Sequence, residues 1–178
     1  MRRVLFVLGL VAAAFWASSA SLAADKAAEK FVRAAIEGNL AEIAVGKLAQ
    51  DKGANDGVRN FGKVLVDDHS ATNEKAIALA NSLGIKVPTA PTKKEKAEYD
   101  RLAKLSGAAF DSAFVKAMVG DHKAAIRAFQ RAAKKDGEVA QFAKDTLPTL
   151  EKHLKDAEAL RGRSQGKGSR ALAHFPAK

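Results

Sequence analysis

The four histidines are the residues of this sequence whose type and spacing suggest chemistry. His69, His122 and His153 each continue a series of apolar residues that recur at steps of three or four, the spacing of one face of an α-helix. Each belongs to a different predicted helix. Neutral imidazole is the commonest side-chain metal ligand, and helical metal sites are built in bundle cores. The pattern therefore predicts a metal site; His174, in the basic C-terminal segment, is set aside.

An ordinary structural role is the alternative for each of these histidines. Buried polar groups usually find a carbonyl or carboxylate partner, and any one histidine on an apolar face fits that description. Three of them on the inward faces of separate helices favour a shared site. We predict His69, His122 and His153 as metal ligands, joined by Glu42, which interrupts the small residues on one face of helix 1.

Two aspartates directly precede two of these histidines, Asp68 before His69 and Asp121 before His122. Neighbouring residues on an α-helix point about 100° apart because there are 3.6 residues per turn. Neither aspartate is therefore expected to share a metal with the histidine that follows it. We expect each to pair with a histidine or lysine of another helix, or to form a weak surface salt bridge.

The residues one turn before the three histidines limit the kind of metal. The positions three residues earlier hold Val66, Val119 and Leu150, so the Glu-x-x-His motif of ferritin-like di-iron sites is absent. This argues against ferroxidase and oxygen-activating chemistry. Zinc or copper suits a histidine-rich site, and we predict a transition metal such as zinc, copper or iron as the cofactor.

Met118 lies one turn before His122 and offers a soft sulfur that copper tolerates. The alternative is an adaptable side chain that fills the core.

Several motifs for other chemistries are absent. The sequence has no Gly-rich phosphate loop, no nucleotide fingerprint and no His-Glu-x-x-His. It also has no cysteine, which removes disulfides, thiolate metal sites and cysteine nucleophiles. We predict no catalytic residue and no organic cofactor site, so a binding protein is favoured over an enzyme, and a redox enzyme with the same ligands ranks third.

The apolar period of the chain predicts an all-α fold. Four long helices are predicted over residues 26–52, 57–83, 108–135 and 138–160, with a short helix across the bundle near 93–105. Asn55 or Asp56 is a candidate cap, and Pro148 is expected to kink or restart helix 4. Two tight loops and one long crossover between helices 2 and 3 are typical of a ferritin-like up-down four-helix bundle.

The N-terminus has the three parts of a secretory signal peptide. Arg2 and Arg3 precede an apolar run, and Ser21 and Ala23 stand at the −3 and −1 positions of a cleavage site. The alternative is a membrane anchor, but the apolar run is shorter than the roughly 20 residues that a span needs. We predict a signal peptide over 1–23, export across the inner membrane and a periplasmic location.

The positive charge is concentrated at the C-terminus. The formal net charge is +10, or +8 without residues 1–23, and residues 161–178 carry five of those charges, leaving about +3 on the bundle domain 24–160. We predict that 161–178 is a basic disordered tail that contacts anionic envelope surfaces. Because the excess lies in a tail and aromatic residues are few, no nucleic-acid partner is expected.

Three segments around the histidines resemble a known family. The stretches 66–69, 118–122 and 147–154 are similar to the signatures of the bacterial domain of unknown function 4142, and 37–42 resembles its first helix. The similarity covers residues 26–160. It implies a ferritin-like fold and export to the periplasm or outer membrane, without implying a particular activity.

Two hypotheses from different classes follow. The first is a non-catalytic periplasmic bundle that binds a transition metal through its core histidines and serves in metal handling or envelope stress protection. The second is a structural or interaction module of the cell envelope, in which the histidines form a hydrogen-bonded core network without a metal. The two differ in whether the imidazoles converge or point at separate partners.

Overall fold

The computed structural model of the protein describes the backbone of residues 10–172 and the side chains of residues 25–162. It is all-α, as predicted. The helices are α1 (Leu10–Lys52), α2 (Asp56–Ser82), α3 (Lys93–Ala103), α4 (Gly107–Ala133) and α5 (Glu138–Leu172). The five helices are four long ones and the short α3, which lies in the crossover where a short helix was expected near 93–105.

The turn between α1 and α2 is fixed by side chains from both sides. The side chain of Asn55, one of the two predicted caps, accepts a hydrogen bond of 2.7 Å from the Gly57 amide and so begins α2. Asp111, a buried residue of α4, accepts hydrogen bonds from the amides of Ala54 at 3.0 Å and Asn55 at 2.9 Å. The start of α4 is thereby attached to the end of the α1–α2 hairpin.

The four long helices pack in a ring, in which α1 contacts α2 and α4, and α5 contacts the same two helices; α3 lies against α1 and α4. Two glycines let α1 and α2 approach closely. A Cβ atom on Gly46 would lie 2.7 Å from the carbonyl oxygen of Gly62, and one on Gly62 would lie 2.6 Å from that of Gly46. No side chain fits in this space. The two helices that carry Asn39 and His69 are therefore held unusually near each other.

The buried residues form two apolar clusters. The Phe114 cluster, at the end of the bundle with the α1–α2 turn, consists of Val45, Leu48, Ala49, Val58, Phe61, Leu65, Leu102, Phe110, Phe114, Val115, Met118, Val119 and Ala157. The Phe129 cluster, at the other end, consists of Val32, Ala35, Ile36, Ala76, Leu79, Ala80, Ile126, Phe129, Phe142, Ala143 and Leu150.

A layer of polar residues separates the two clusters. On every long helix it falls between the last residue of one cluster and the first residue of the other. We call this set the polar layer; it consists of Asn39 and Glu42 on α1, His69 on α2, His122 on α4 and His153 on α5.

α5 differs from the prediction in two places. It is one continuous helix through Pro148, so the predicted restart does not occur, while the predicted kink stays a prediction. The lost hydrogen bond lies on an exposed face, where water can hydrate the free carbonyl. α5 also continues through residues 161–172. Residues 173–178, including His174, lie outside the described part, and the disorder predicted for the tail stays a prediction.

At the N-terminus, α1 begins at Leu10 rather than near Lys26. Residues 1–9 of the predicted signal peptide lie outside the described residues, and its cleavage stays a prediction. Over the part of the chain that the structure describes, none of the helices combines the length and the apolar character needed to cross a bilayer.

Candidate metal centre

The three predicted histidine ligands come together in the polar layer. One nitrogen from each of His69, His122 and His153 lies within 4.8 Å of the other two. The ring centroid of His69 lies 5.8 Å from that of His122 and 5.2 Å from that of His153, and the centroids of His122 and His153 are 5.3 Å apart. Their exposed fractions are only 5%, 1% and 0%. The convergence predicted from helical periodicity is thus present.

The hydrogen bonds of His122 determine which of its nitrogens is free. Its Nδ1 lies 2.9 Å from the carbonyl oxygen of Met118, one turn earlier in α4. A carbonyl oxygen only accepts, so Nδ1 carries the hydrogen and donates it. In the neutral imidazole the remaining nitrogen, Nε2, therefore presents a lone pair.

His153 is oriented by a hydrogen bond at its other ring nitrogen, Nε2. Its Nε2 lies 2.7 Å from Oδ2 of Asp68 on α2, and an ionised carboxylate only accepts, so Nε2 donates. The lone pair of His153 is then on Nδ1, which lies 3.3 Å from Nε2 of His122. Two lone pairs face each other across this distance. Neutral rings leave no hydrogen between them, so the contact is stable only with a cation or an added proton.

His69 supplies a third lone pair. Its Nδ1 lies 2.9 Å from Oδ1 of Asn39, and both residues are buried. The amide oxygen accepts, so Nδ1 donates and Nε2 is left with its lone pair. That Nε2 is buried without any hydrogen-bond partner. Buried polar groups are almost always paired, so this atom indicates that the site is completed by something other than protein.

The electrostatics keep the three rings neutral. Burial, followed by repulsion from the other two histidines, lowers the pKa of His69 to about 3. Burial and then His153 lower the pKa of His122 to about 4, although the bond to the Met118 carbonyl raises it. Burial also lowers the pKa of His153, against an opposing effect of Asp68. At neutral pH no proton bridges the lone pairs, and neutral imidazole is the form that binds a metal.

The dimensions of the site fit an ion after small movements. Three atoms no more than 4.8 Å apart all lie within about 2.8 Å of a common centre, whereas zinc–imidazole bonds are ~2.0–2.1 Å long. Side-chain movements of less than about 1 Å therefore suffice. Each imidazole already donates its other N–H to an amide oxygen, a carbonyl or a carboxylate, which is the support that metal-binding histidines receive in proteins.

Glu42 lies beside the histidines but not among their lone pairs. Its Oε1 is 3.9 Å from Nδ1 of His122, the nitrogen that donates to Met118, whereas the lone pair is on Nε2. Burial, and next the charges of Asp121 and Glu95, raise the pKa of the Glu42 carboxyl to about 8. Its Oε2 is buried without a partner. The predicted role of Glu42 as a ligand stays a prediction.

The two aspartates behave differently. Asp68 pairs with a histidine of another helix, as expected, whereas Asp121 makes no hydrogen bond or salt bridge with the side chains that the structure describes. Met118 packs its side chain into the Phe114 cluster and contributes its carbonyl to the site.

Asn39 is the residue that the sequence analysis missed. It follows Val32, Ala35 and Ile36 at steps of three and four, and these three are buried with it. The helical period therefore placed Asn39 on the buried face of α1, but on this helix only Glu42 was predicted as a ligand. Four side-chain atoms among the described residues are buried without a partner, on Asn39, Glu42, His69 and Asn73. Three of these residues belong to the polar layer, and Asn73 lies one turn from His69.

Comparison with solved structures shows the type of fold. The crystal structure of a DUF305 fragment from Deinococcus radiodurans is similar to this chain with a TM-score of 0.69 and 14% sequence identity, covering 77% of this chain and 96% of the fragment. The similarity shows that this chain shares the helical fold of that fragment. A comparison with curated proteins found no significant match.

Comparison with protein families concerns nearly the whole bundle. The family model for the domain of unknown function 4142 (DUF4142) matches residues 14–160, a range that includes every residue of the polar layer. The resemblance noted around the three histidines is thereby confirmed, and this chain belongs to the DUF4142 family.

Proposed function

We propose that the protein binds one transition-metal ion through Nε2 of His69, Nε2 of His122 and Nδ1 of His153. The observation that carries the proposal is the pattern of hydrogen bonds around three converging rings. Each ring donates one hydrogen to a group outside the cluster, at 2.9 Å, 2.9 Å and 2.7 Å respectively. The rings offer nitrogens within 4.8 Å of one another, Nε2 of His122 and Nδ1 of His153 are 3.3 Å apart, and Nε2 of His69 has no partner.

The alternative function, a structural module with a hydrogen-bonded histidine network, is less consistent with this geometry. A network without metal would pair the inward nitrogens with donors. Here Nε2 of His69 has no partner, and the nitrogens of His122 and His153 that face each other at 3.3 Å are both acceptors. Partly satisfied buried hydrogen-bond networks are costly, and the alternative does not explain why these nitrogens are left unpaired.

The ligand set favours zinc or copper over iron. Three neutral imidazoles without thiolate suit zinc and copper, whereas the ferritin-like di-iron site needs Glu-x-x-His pairs that this chain lacks. We propose metal handling or protection against envelope stress, rather than catalysis, as the role. The predicted signal peptide and basic tail would place this role in the periplasm, near the envelope surface.

The test is the metal content of the protein purified from the periplasm without a histidine tag. The wild type should contain near-stoichiometric zinc, copper or iron. The triple variant His69→Ala, His122→Ala, His153→Ala should contain none, while His174→Ala, which removes an imidazole from the tail, should match the wild type. A metal-free wild type that gains no thermal stability from added metals would refute the proposal and favour the structural module.

A further inference from the structure

The polar layer is connected to solvent mainly through Asp68, the hydrogen-bond partner of His153. The ligand rings are almost completely buried, and so are Asn39 and Met118. The Glu42 side chain is 13% exposed. The Asp68 side chain, in contrast, is 41% exposed, although its Oδ2 contacts a ring that is fully buried. Asp68 thus connects the site to water.

Asp68 keeps one oxygen available on its exposed side. Its Oδ2 accepts from His153, while Oδ1 has no partner among the side chains that the structure describes. The nearby cation Lys152 is engaged by Asp156, with 2.9 Å between Nζ and Oδ2. The charge of Asp68 also acts on Lys152, but the ion pair of Lys152 is with Asp156, so an oxygen of the partly exposed Asp68 carboxylate is available to a hydrated divalent cation.

A surface groove begins one helical turn from Asp68. It lies between α2 and α5, has a volume of about 290 Å³ and is lined by Thr72 and Thr149 among others. Thr72 is one turn after Asp68, and its hydroxyl donates to the Asp68 carbonyl oxygen at 2.8 Å. Thr149 is one turn before His153. Neither Asp68 nor His153 lines the groove, but one of its lining residues on each helix is one turn from a member of this pair.

The other sides of the His153 ring are closed by packing. The buried ring of Phe61 lies 6.2 Å from it, centroid to centroid, and Leu150 and Ala157, one turn away on α5, are buried in the two apolar clusters. An ion that reached the layer through either cluster would have to cross apolar side chains and lose its water without compensation.

We infer that Asp68 is the access residue of the metal centre. Its carboxylate, between α2 and α5, is the first protein group to bind the ion, which then passes to the three imidazoles. The inference rests on the proposed function. It separates two roles of one side chain, because the hydrogen bond to His153 affects how long an ion stays, whereas the solvent-facing negative charge affects how fast it arrives.

The experiment measures Zn²⁺ association and dissociation rates by stopped flow, with metal-free protein competing against a chromophoric zinc chelator. In Asp68→Asn the amide oxygen can still accept from Nε2 of His153, but the charge is lost. Association should slow roughly tenfold, the effect of one charge on a divalent ion at short range, with dissociation changed less than about twofold. Circular dichroism and urea unfolding confirm that the variant is folded.

Asp67→Asn is the matched control. Asp67 is the adjacent carboxylate, but its Oδ2 is paired with Nζ of Lys63 at 2.6 Å and its side chain is 60% exposed. This variant removes the same charge without touching the site, and its association rate should equal that of the wild type.

Three outcomes overturn the inference. Equal association rates in Asp68→Asn and wild type would show that ions arrive by another route. Faster dissociation alone would show that Asp68 only orients His153. Both results would leave the proposed function intact. A wild-type protein that takes up none of zinc, copper and iron would refute the proposed function and, with it, the access role.

Discussion

The histidines of the polar layer are as well shielded from water as the two apolar clusters beside it, but the layer leaves more of its buried polar atoms without partners. In the Phe114 cluster, Phe61 and Phe110 pack their rings on Phe114 at centroid distances of 6.0 and 5.7 Å. Such burial contributes about 1.5–3 kcal/mol per large side chain. In the layer, by contrast, buried atoms of Asn39, Glu42 and His69 have no partner.

The residues of the two apolar clusters stabilise the fold, whereas the residues of the polar layer are held in position by it. An unpaired buried polar group costs about 1–3 kcal/mol, so a bundle under selection for stability alone would have an apolar layer here. Places where a sequence departs from good packing are expected to be functional. The clusters at both ends hold the four helices in position, and the layer between them is where a ligand is expected to restore the missing interactions.

The largest expected effect concerns the carboxyl of Glu42. Its pKa is raised from 4.5 to about 8, chiefly by burial, so the unfolded chain loses this proton at lower pH than the folded protein does. Stability should therefore fall as pH rises from about 4.5 to 8, and stay level above that. Metal-free Glu42→Gln, which cannot ionise, should gain on the order of 4–5 kcal/mol relative to wild type across this range.

Urea unfolding between pH 4 and pH 9 measures that difference. Glu37→Gln, at a partly exposed position of the same helix, serves as the control for replacing a glutamate. Parallel pH profiles of wild type and Glu42→Gln would contradict the burial of an ionisable carboxyl in the layer.

The next effect concerns the Phe114 cluster. Phe114→Ala removes a fully buried ring and should reduce the free energy of unfolding by about 3–5 kcal/mol. Metal binding should stay near one ion per chain, because Phe114 lies two turns from His122 and supports the layer only by packing. Urea unfolding and metal analysis of the same sample test this. A loss of metal in the folded variant would mean that the clusters and the layer are not separable.

Metal binding should add stability through the layer alone. At a free metal concentration one hundred times Kd, a ligand that binds only the folded state adds about 2.7 kcal/mol. Wild type and Phe114→Ala should both gain this increment in chelator-controlled unfolding experiments, whereas His153→Ala should not. An increment that survives in His153→Ala would place the bound ion elsewhere on the protein.

The smallest effects concern the pair formed by Asn39 and His69. His69→Leu alone leaves Oδ1 of Asn39 unpaired and should cost the metal-free protein about 1–3 kcal/mol. The double variant Asn39→Leu, His69→Leu removes both partners of the bond and should be within about 1 kcal/mol of wild type, or more stable. A double-mutant cycle in urea measures the coupling. Additive costs would show that the pair contributes stability after all.

Helical periodicity was sufficient to predict the fold class and the three histidines. Amphipathic helices longer than twenty residues have a strong period, and each histidine occupies an inward position of such a helix. The short helix α3 was also expected in the crossover, with an end within two residues of the observed Ala103.

The partners of the histidines could not be predicted from the sequence. The bonds to Asn39 and Asp68 join residues 30 and 85 positions apart, and their existence depends on the rotation and height of each helix in the bundle. Sequence period defines a face of a helix, but it does not define which atom of a neighbouring helix that face meets. The free nitrogen of each imidazole, and the displacement of Glu42 from the lone pairs, follow only from those contacts.

The most direct measurement of the central claim is a long-range ¹H–¹⁵N NMR spectrum of the histidine side chains, recorded with and without one equivalent of Zn²⁺. The metal-free protein should show Nδ1–H in His69 and His122 and Nε2–H in His153. On addition of zinc, the other three nitrogens, Nε2, Nε2 and Nδ1, should shift together to metal-bound values. Spectra of the three rings that do not change at stoichiometric zinc, copper or iron would contradict the account.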